Sequence, residues 1–502
     1  MAFLAMPNVA LAQEETAGGF IGSIDAVFSQ LVEGLGAVLF FEIAGFPFIV
    51  LWLIGGAIFF TLRMGFINVR GFKHAIDIVR GKYDDPEDEG DVSHFQALAT
   101  ALSGTVGLGN IAGVAIAVQI GGPGALVWMT LGGFFGMSSK FIECTLAQEY
   151  RLVRPDGTVS GGPMYYLSRG LSRRGMRPIG KGLAFLFAIL CIGASFGGGN
   201  MFQSNQAYAA VAGVVPIANW VFGLVVATLV GIVILGGISR IASITSSLVP
   251  AMAVIYVLAC LWIIVTNVGE IPTALGTIFS QAFSPQAVEG GIVGVIIQGI
   301  RRSAFSNEAG IGSAAIAHSA ARTDEPLREG IVALLEPFID TIVICNLTAL
   351  TIVITGVYQD TSAAEANGVE LTALAFSSVI GWFPIILAIA VALFAFSTMI
   401  SWSYYGEKAW AYLVGESTIM VYRAIFVVCV FIGAVVNLGA VLDFSDMMLL
   451  SMAFPNLIGC YVLSNRVASD LSSYMQRLSS GQMLAYADEV ANRNVDPEKT
   501  YR

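Results

Sequence analysis

Long apolar stretches recur along this chain at about 36–62, 95–118, 122–148, 182–213, 217–237, 241–266, 290–318, 330–357, 371–400, 417–438 and 440–463. Most reach the roughly 20 apolar residues that carry a helix across a bilayer, and eleven of them cannot be hidden inside soluble domains. Composition agrees, with 56% hydrophobic and 12% charged residues against about 25% charged in a soluble domain. A water-soluble enzyme is excluded, and a net charge of −10 lacks the electrostatic footprint of a nucleic-acid partner. The chain reads as an all-α polytopic membrane protein with about 11 transmembrane helices. Cys144, Cys191, Cys260, Cys345, Cys429 and Cys460 all fall inside these stretches and read as buried small hydrophobes; no transition-metal ligand set is expected.

Charge sets the topology. Of the 25 Lys and Arg residues, 22 fall in alternate loops on one side and in the tail, while Lys140, Arg301 and Arg302 lie within spans. By the positive-inside rule the N-terminus is outside and the C-terminus cytoplasmic. Residues 1–35 end their first segment in Ala10-Leu11-Ala12, resembling a signal peptide's cleavage site in an extracytoplasmic location. The span at 36–62 is an extra N-terminal helix. Outside segment 267–289 has room for a short interfacial helix, and 464–502 reads as an amphipathic cytoplasmic tail.

Two spans carry residues that a lipid-facing helix would not tolerate. Ser103-Gly104-Thr105-Val106-Gly107-Leu108-Gly109-Asn110 interrupts the second, and Arg301-Arg302-Ser303-Ala304-Phe305-Ser306-Asn307-Glu308-Ala309-Gly310 the seventh. Backbone at mid-depth unwinds only where it is buried in protein or lines a cavity. Gly107 and Gly310 also occupy equivalent places in two five-helix halves, 95–266 and 290–463. Five is odd, so the second half enters from the opposite side. A five-plus-five inverted repeat with paired broken helices points to a secondary-transporter site at the midplane, where half-helix ends offer N–H groups to an anion and C=O groups to a cation.

Gly104-Thr105-Val106-Gly107-Leu108-Gly109-Asn110-Ile111-Ala112-Gly113, Gly161-Gly162-Pro163-Met164-Tyr165-Tyr166 and Phe305-Ser306-Asn307-Glu308-Ala309-Gly310 resemble the alanine or glycine:cation symporter family. The resemblance covers roughly 40–465 and implies a leucine-transporter-type fold with one extra N-terminal helix. It implies sodium-coupled uptake of alanine or glycine across a bacterial or archaeal cytoplasmic membrane, with sodium as coupling ion and no organic cofactor. Matching residue by residue, Gly107, Leu108, Gly109 and Asn110 would take the substrate carboxylate. Gln203 would add a polar contact, and Phe305, Ser306 and Asn307 would line the pocket. Thr398 and Trp402, four apart and on one helix face, would complete it, with Trp402 filling the volume a larger side chain needs. Sodium would use carbonyls of Ser103 and Val106 and hydroxyls of Ser397 and Thr398, with Thr105 as a further candidate oxygen.

Arg301 and Arg302 lie just above this pocket and would form an outer gate with Asp443 or Asp446. Glu308 would neutralise one of these arginines, and Glu336 and Asp340, four apart, would brace the core or relay protons. His74, His94 and His318 are expected at the ends of helices, against headgroups or loops. Three rivals remain: a proton-coupled or facilitative carrier, a passive channel, and a membrane-embedded enzyme, which lacks a mid-span Ser/His or paired-Asp constellation. Oligomeric state stays open.

Overall fold

The computed structural model describes Gly34, Gly36 and residues 41–487, apart from 156, 284–290, 361–367 and 437. The signal-like start, most of 358–370 and the end of the tail lie outside the described residues. Helix occupies each predicted stretch. Among the described residues seven helices are long and apolar enough to cross a membrane, or eight if the bent pair His94–Thr105 and Gly109–Gly121 is one span; Phe48–Arg63 and Asn219–Ile234 are shorter apolar helices. Apolar side chains face outward as well as inward: Leu62, Leu229, Trp262, Val265 and Ile389 are exposed, whereas Lys140, Glu336, Asp340 and Asp446 are buried at 0%. A helix bundle that is apolar outside and carries its charges inside has lipid as its solvent.

The stretch at 371–400 is corrected. It splits into Val369–Ser377 and Phe383–Val414, because Gly381 and Pro384 sit where the first helix ends and the second begins. Proline in the first helical turn has no N–H to satisfy, and hydropathy alone does not register it. The crossing helix therefore reaches Val414, and its polar second half is tolerated because Trp402, Tyr404 and Tyr405 pack inside the protein. Ile271–Ala282 is a helix within the outside segment.

The tail is not a separate helix. Leu438–Ser479 runs unbroken from the last span, and Val467, Leu471 and Tyr474 bury one face at helical spacing. Tyr474 meets His74 at 2.7 Å. His94 begins the helix His94–Thr105 and His318 ends Ala314–His318, at helix ends as expected, but both are fully buried and His74 is 7% exposed, so their contacts are within the protein and not with headgroups. Burial holds the His74 pKa at about 4, against the pull of Asp77. The folded state thus favours the neutral ring, so this contact keeps its stability above pH 6.5 and loses it as pH falls from 6.5 towards about 4. Hydrogen exchange across 467–479 should accelerate over that window, and His74→Gln should remove the dependence; identical profiles would refute it.

Small residues let helices approach. A Cβ at Gly132 would lie 2.8 Å from Ser303 Oγ and one at Gly136 2.8 Å from Ala309 Cβ, so Ala125–Glu149 packs against the second broken span through this face.

Candidate substrate and cation site

The first break begins with a well-formed helix. Ser93 caps His94–Thr105 and Gln96 completes a capping box. The helix stops at Val106, and after Leu108 the chain re-enters through a π-turn, Gly109–Gly113, continuing as Val114–Gly121 with a 50° bend. The freed amides find partners within the protein, as they must in a membrane. Gly107 N–H donates to Asn110 Oδ1 at 2.9 Å, and Leu108 N–H to Gln203 Oε1 at 3.2 Å. Gly107 has no side chain because Thr398 Oγ1 lies where its Cβ would be.

The second break follows Gly291–Asn307. Glu308 adopts φ +55°, and Gly310 and Gly312 adopt +88° and +91°. A left-handed glutamate is strained by roughly 1–3 kcal/mol and is held by its bonds: Trp402 Nε1 donates to its Oε1 at 3.0 Å, and Ser313 Oγ donates to its other oxygen. Asn456 Nδ2 satisfies the Gly310 carbonyl freed by the break, at 2.8 Å. Helix resumes at Ala314–His318.

One carboxylate joins the two breaks. Asp340, inside the π-helical Phe338–Cys345, accepts from Asn110 Nδ2 at 2.6 Å, Ser306 Oγ at 2.9 Å and Thr341 Oγ1 at 2.7 Å. The π-turn also separates it from Glu336, which accepts from Lys140 Nζ at 2.9 Å instead. These two acids therefore hold different neighbours, and Glu308 meets Trp402 and Ser313 rather than an arginine.

Between the breaks lies a cavity of about 10 Å³, lined by Gly104, Thr105, Gly109, Gly198, Gln203, Phe305, Glu308, Trp402 and Leu449. That is room for about one water. Gln203 is held in place by Nε2–H donating to Gly198 O at 2.9 Å, and Phe305 packs edge-on against Phe202 at 5.5 Å. Trp402 packs against Gly199, where any Cβ would collide with it. Of the expected substrate contacts, Gly109, Gln203, Phe305 and Trp402 line the cavity. Gly107, Leu108, Asn110 and Thr398 stand behind it, with Asn110 committed to Gly107 and Asp340. The side chains of the other two are engaged elsewhere, which leaves the carbonyls expected to face the ammonium untouched. Ser306 gives its hydroxyl to Asp340, and Asn307 gives its amide to Ser303 Oγ at 3.0 Å and Thr341 Oγ1 at 2.9 Å, since buried polar groups must be satisfied.

The cation candidates meet where the first broken span crosses Phe383–Val414. Thr398 Oγ1 donates to Ser103 O at 3.0 Å, and Ser103 Oγ to Ser397 O at 2.6 Å. Ser397 Oγ turns to its own helix, to Phe394 O at 2.9 Å, and Thr105 Oγ1 likewise to Ala101 O at 3.2 Å. Val106 ends the half-helix beside them. Above the cavity, Arg301 Nη2 and Arg302 Nη2 both reach Asp446 Oδ2, at 2.6 and 2.7 Å. Asp443, one turn away, is half-buried and is not the shared acceptor.

The model of the sodium:alanine symporter family matches residues 26–488. The chain belongs to that family. It is 44% identical to the sodium/alanine symporter AgcS of Methanococcus maripaludis, over 85% of this chain and 94% of that one. It is 36% identical to the amino-acid carrier protein AlsT of Bacillus subtilis, over 86% and 90%, and 34% identical to the probable sodium/glutamine symporter GlnT of the same organism, over 89% and 92%. A family member of this kind is a membrane transporter and not an enzyme.

Sequence reasoning missed Gly104, Gly198 and Leu449 as cavity lining and gave Glu308 the wrong partner. The run Gly197-Gly198-Gly199 was the available signal, and it forms part of a π-turn, Gly197–Met201, a feature common at functional sites. Lys140 had one too: a basic residue inside an apolar span.

Proposed function

We propose that this protein imports alanine and glycine together with sodium by alternating access between two inverted five-helix halves, residing in a bacterial cytoplasmic membrane with its N-terminus outside. The observation that carries this reading is the small cavity between two broken helices, lined by Trp402: a substrate with few side-chain atoms displaces the least. Gly107, Leu108 and Gly109 would meet the substrate carboxylate, which competes with Gln203 for the Leu108 N–H. Glu308 and carbonyls near Phe305 would face its ammonium. Ser103, Val106, Ser397 and Thr398 would hold sodium, whose arrival replaces the Thr398–Ser103 hydrogen bond with two ligand bonds. The Arg301–Arg302–Asp446 cluster would close the outer vestibule.

The driving force is adequate. One charge across about 100 mV is worth about 2.3 kcal/mol and a tenfold sodium gradient about 1.4; combined, they support roughly 500-fold accumulation at about 1.4 kcal/mol per decade.

Labelled-alanine uptake into proteoliposomes with an inward sodium gradient tests the reading, with potassium replacing sodium under a valinomycin-set potential as control. Uphill, sodium-dependent accumulation supports it; equilibration indifferent to sodium identifies a facilitator or a proton-coupled carrier. Thr398→Ala removes one cation oxygen and should raise the sodium requirement roughly tenfold or more, while Thr398→Ser restores it. An unaltered sodium dependence in Thr398→Ala would remove the cation role.

A further inference from the structure

The half of the protein on the arginine-rich side contains a continuous chain of ionisable side chains that substrate binding does not use. It starts at Asp84, 36% exposed, whose Oδ1 is 3.9 Å from His94 Nε2. His94 Nδ1 shares a short hydrogen bond with Glu329 Oε2. Glu329 Oε1 is 2.5 Å from His318 Nδ1, and His318 Nε2 is 3.6 Å from Glu336 Oε2. Glu336 Oε1 then pairs with Lys140 Nζ at 2.9 Å. Beyond Asp84, no member is more than 1% exposed.

Each imidazole has a carboxylate at both ring nitrogens. A histidine so placed accepts a proton at one nitrogen and releases one from the other, without leaving its site. The two longer separations are informative. Asp84 Oδ1 and His94 Nε2 across the first, and His318 Nε2 and Glu336 Oε2 across the second, are all buried without a hydrogen-bond partner among the described residues. A network built only for stability would satisfy these atoms, whereas a relay needs positions that a proton or a water can occupy in turn. Other charges face the chain at both ends: Arg322 and Arg328 at Asp84, Arg151 at Glu329, and Glu143 and Glu308 at Lys140. Burial raises the Asp84 carboxyl above its usual range.

We infer that Asp84, His94 and Glu329 pass a proton from the cytoplasm to His318, so that internal pH acts on the Lys140–Glu336 pair and, through Glu308, on the transport cavity. Asp84 takes the proton from hydronium, leaving water, and hands it to His94 Nε2, as Nδ1 yields its own to Glu329. His318 takes a proton from Glu329 at Nδ1 and keeps it, because a carboxylate faces each of its ring nitrogens. Only N–H and O–H bonds are made and broken, and the net change is one proton gained by His318. The His318 imidazolium, 3.6 Å from Glu336 Oε2, competes with Lys140 for that carboxylate and leaves the ammonium less compensated towards Glu308, making the cavity less hospitable to sodium and favouring its release inward.

This rests on the sodium-coupled reading above, and the test separates the two. Alanine uptake is measured in proteoliposomes of uniform orientation at fixed external pH and sodium, with internal pH varied from about 10 to about 6. Uptake should rise roughly tenfold on internal acidification, what one unit charge exerts over about 10 Å at an effective dielectric near 20, and should not respond to external pH. Asp84→Asn, at the partly exposed mouth where folding is not at stake, should flatten the internal profile, as should His318→Gln. If both variants, or Asp84→Asn alone where His318→Gln does not fold, keep the wild-type profile, or if only external pH matters, the relay is wrong. If the wild type moves no alanine at any pH, the symporter reading fails instead.

Discussion

Asp340→Ala should abolish alanine uptake and lower the unfolding temperature of the purified protein. Asp340 is fully buried and accepts from Asn110 on the first break, Ser306 on the second and Thr341 on its own helix. Alanine takes the carboxylate from all three donors; Asn110 keeps the carbonyl of residue 340 at 3.1 Å and Ser306 the Cys345 sulfur at 3.3 Å, so the loss is at most about 1–3 kcal/mol each, and these costs overlap because the donors share one site. The consequence for transport follows from Asn110. Its Oδ1 holds the Gly107 N–H, so loosening Asn110 frees the unwound segment that must meet the substrate carboxylate. Asp340→Asn keeps an acceptor oxygen and should retain the fold better than alanine does while still lowering the uptake rate. Uptake together with thermal unfolding in detergent checks this: Asp340→Ala with wild-type values of both would show that the two breaks are not joined through this residue.

The second large effect is one of selectivity. Trp402→Ala should raise the alanine KM by roughly tenfold or more and admit larger residues such as leucine. Trp402 is 2% exposed, packs against Gly199 and donates to Glu308. Removing a buried tryptophan costs about 3–5 kcal/mol and enlarges a cavity that now has room for one water. It also takes a donor from a glutamate already in a left-handed conformation. Trp402→Phe, which keeps a ring but loses the indole N–H, separates the two contributions: its selectivity should stay close to wild type while its alanine KM rises. Unchanged alanine kinetics and no leucine uptake in Trp402→Ala would remove the tryptophan from the substrate site.

What the sequence by itself determined was what depends on near neighbours. Apolar runs locate the helices because hydration responds to a local average, and they fail at 371–400 because one glycine and one proline barely alter that average. Gly107 and Gly310 mark the breaks, since polar residues and glycines clustered at mid-depth cannot form an ordinary lipid-facing helix whatever surrounds them. The chain's family was legible from the same motifs, and the pairing of Arg301 and Arg302 with an acid of the last span was anticipated because two buried arginines require one. Tertiary structure decided the partners. Asn110 and Asp340 are 230 positions apart, His94 and Glu329 235, and Glu308 and Trp402 94. In a low-dielectric interior every buried polar group must find a complement, but which one it finds depends on how helices distant in sequence cross. The tail shows the same division. Its amphipathic face was visible in the residues, whereas its continuity with the last span and its seat against His74 were settled by the packing around it.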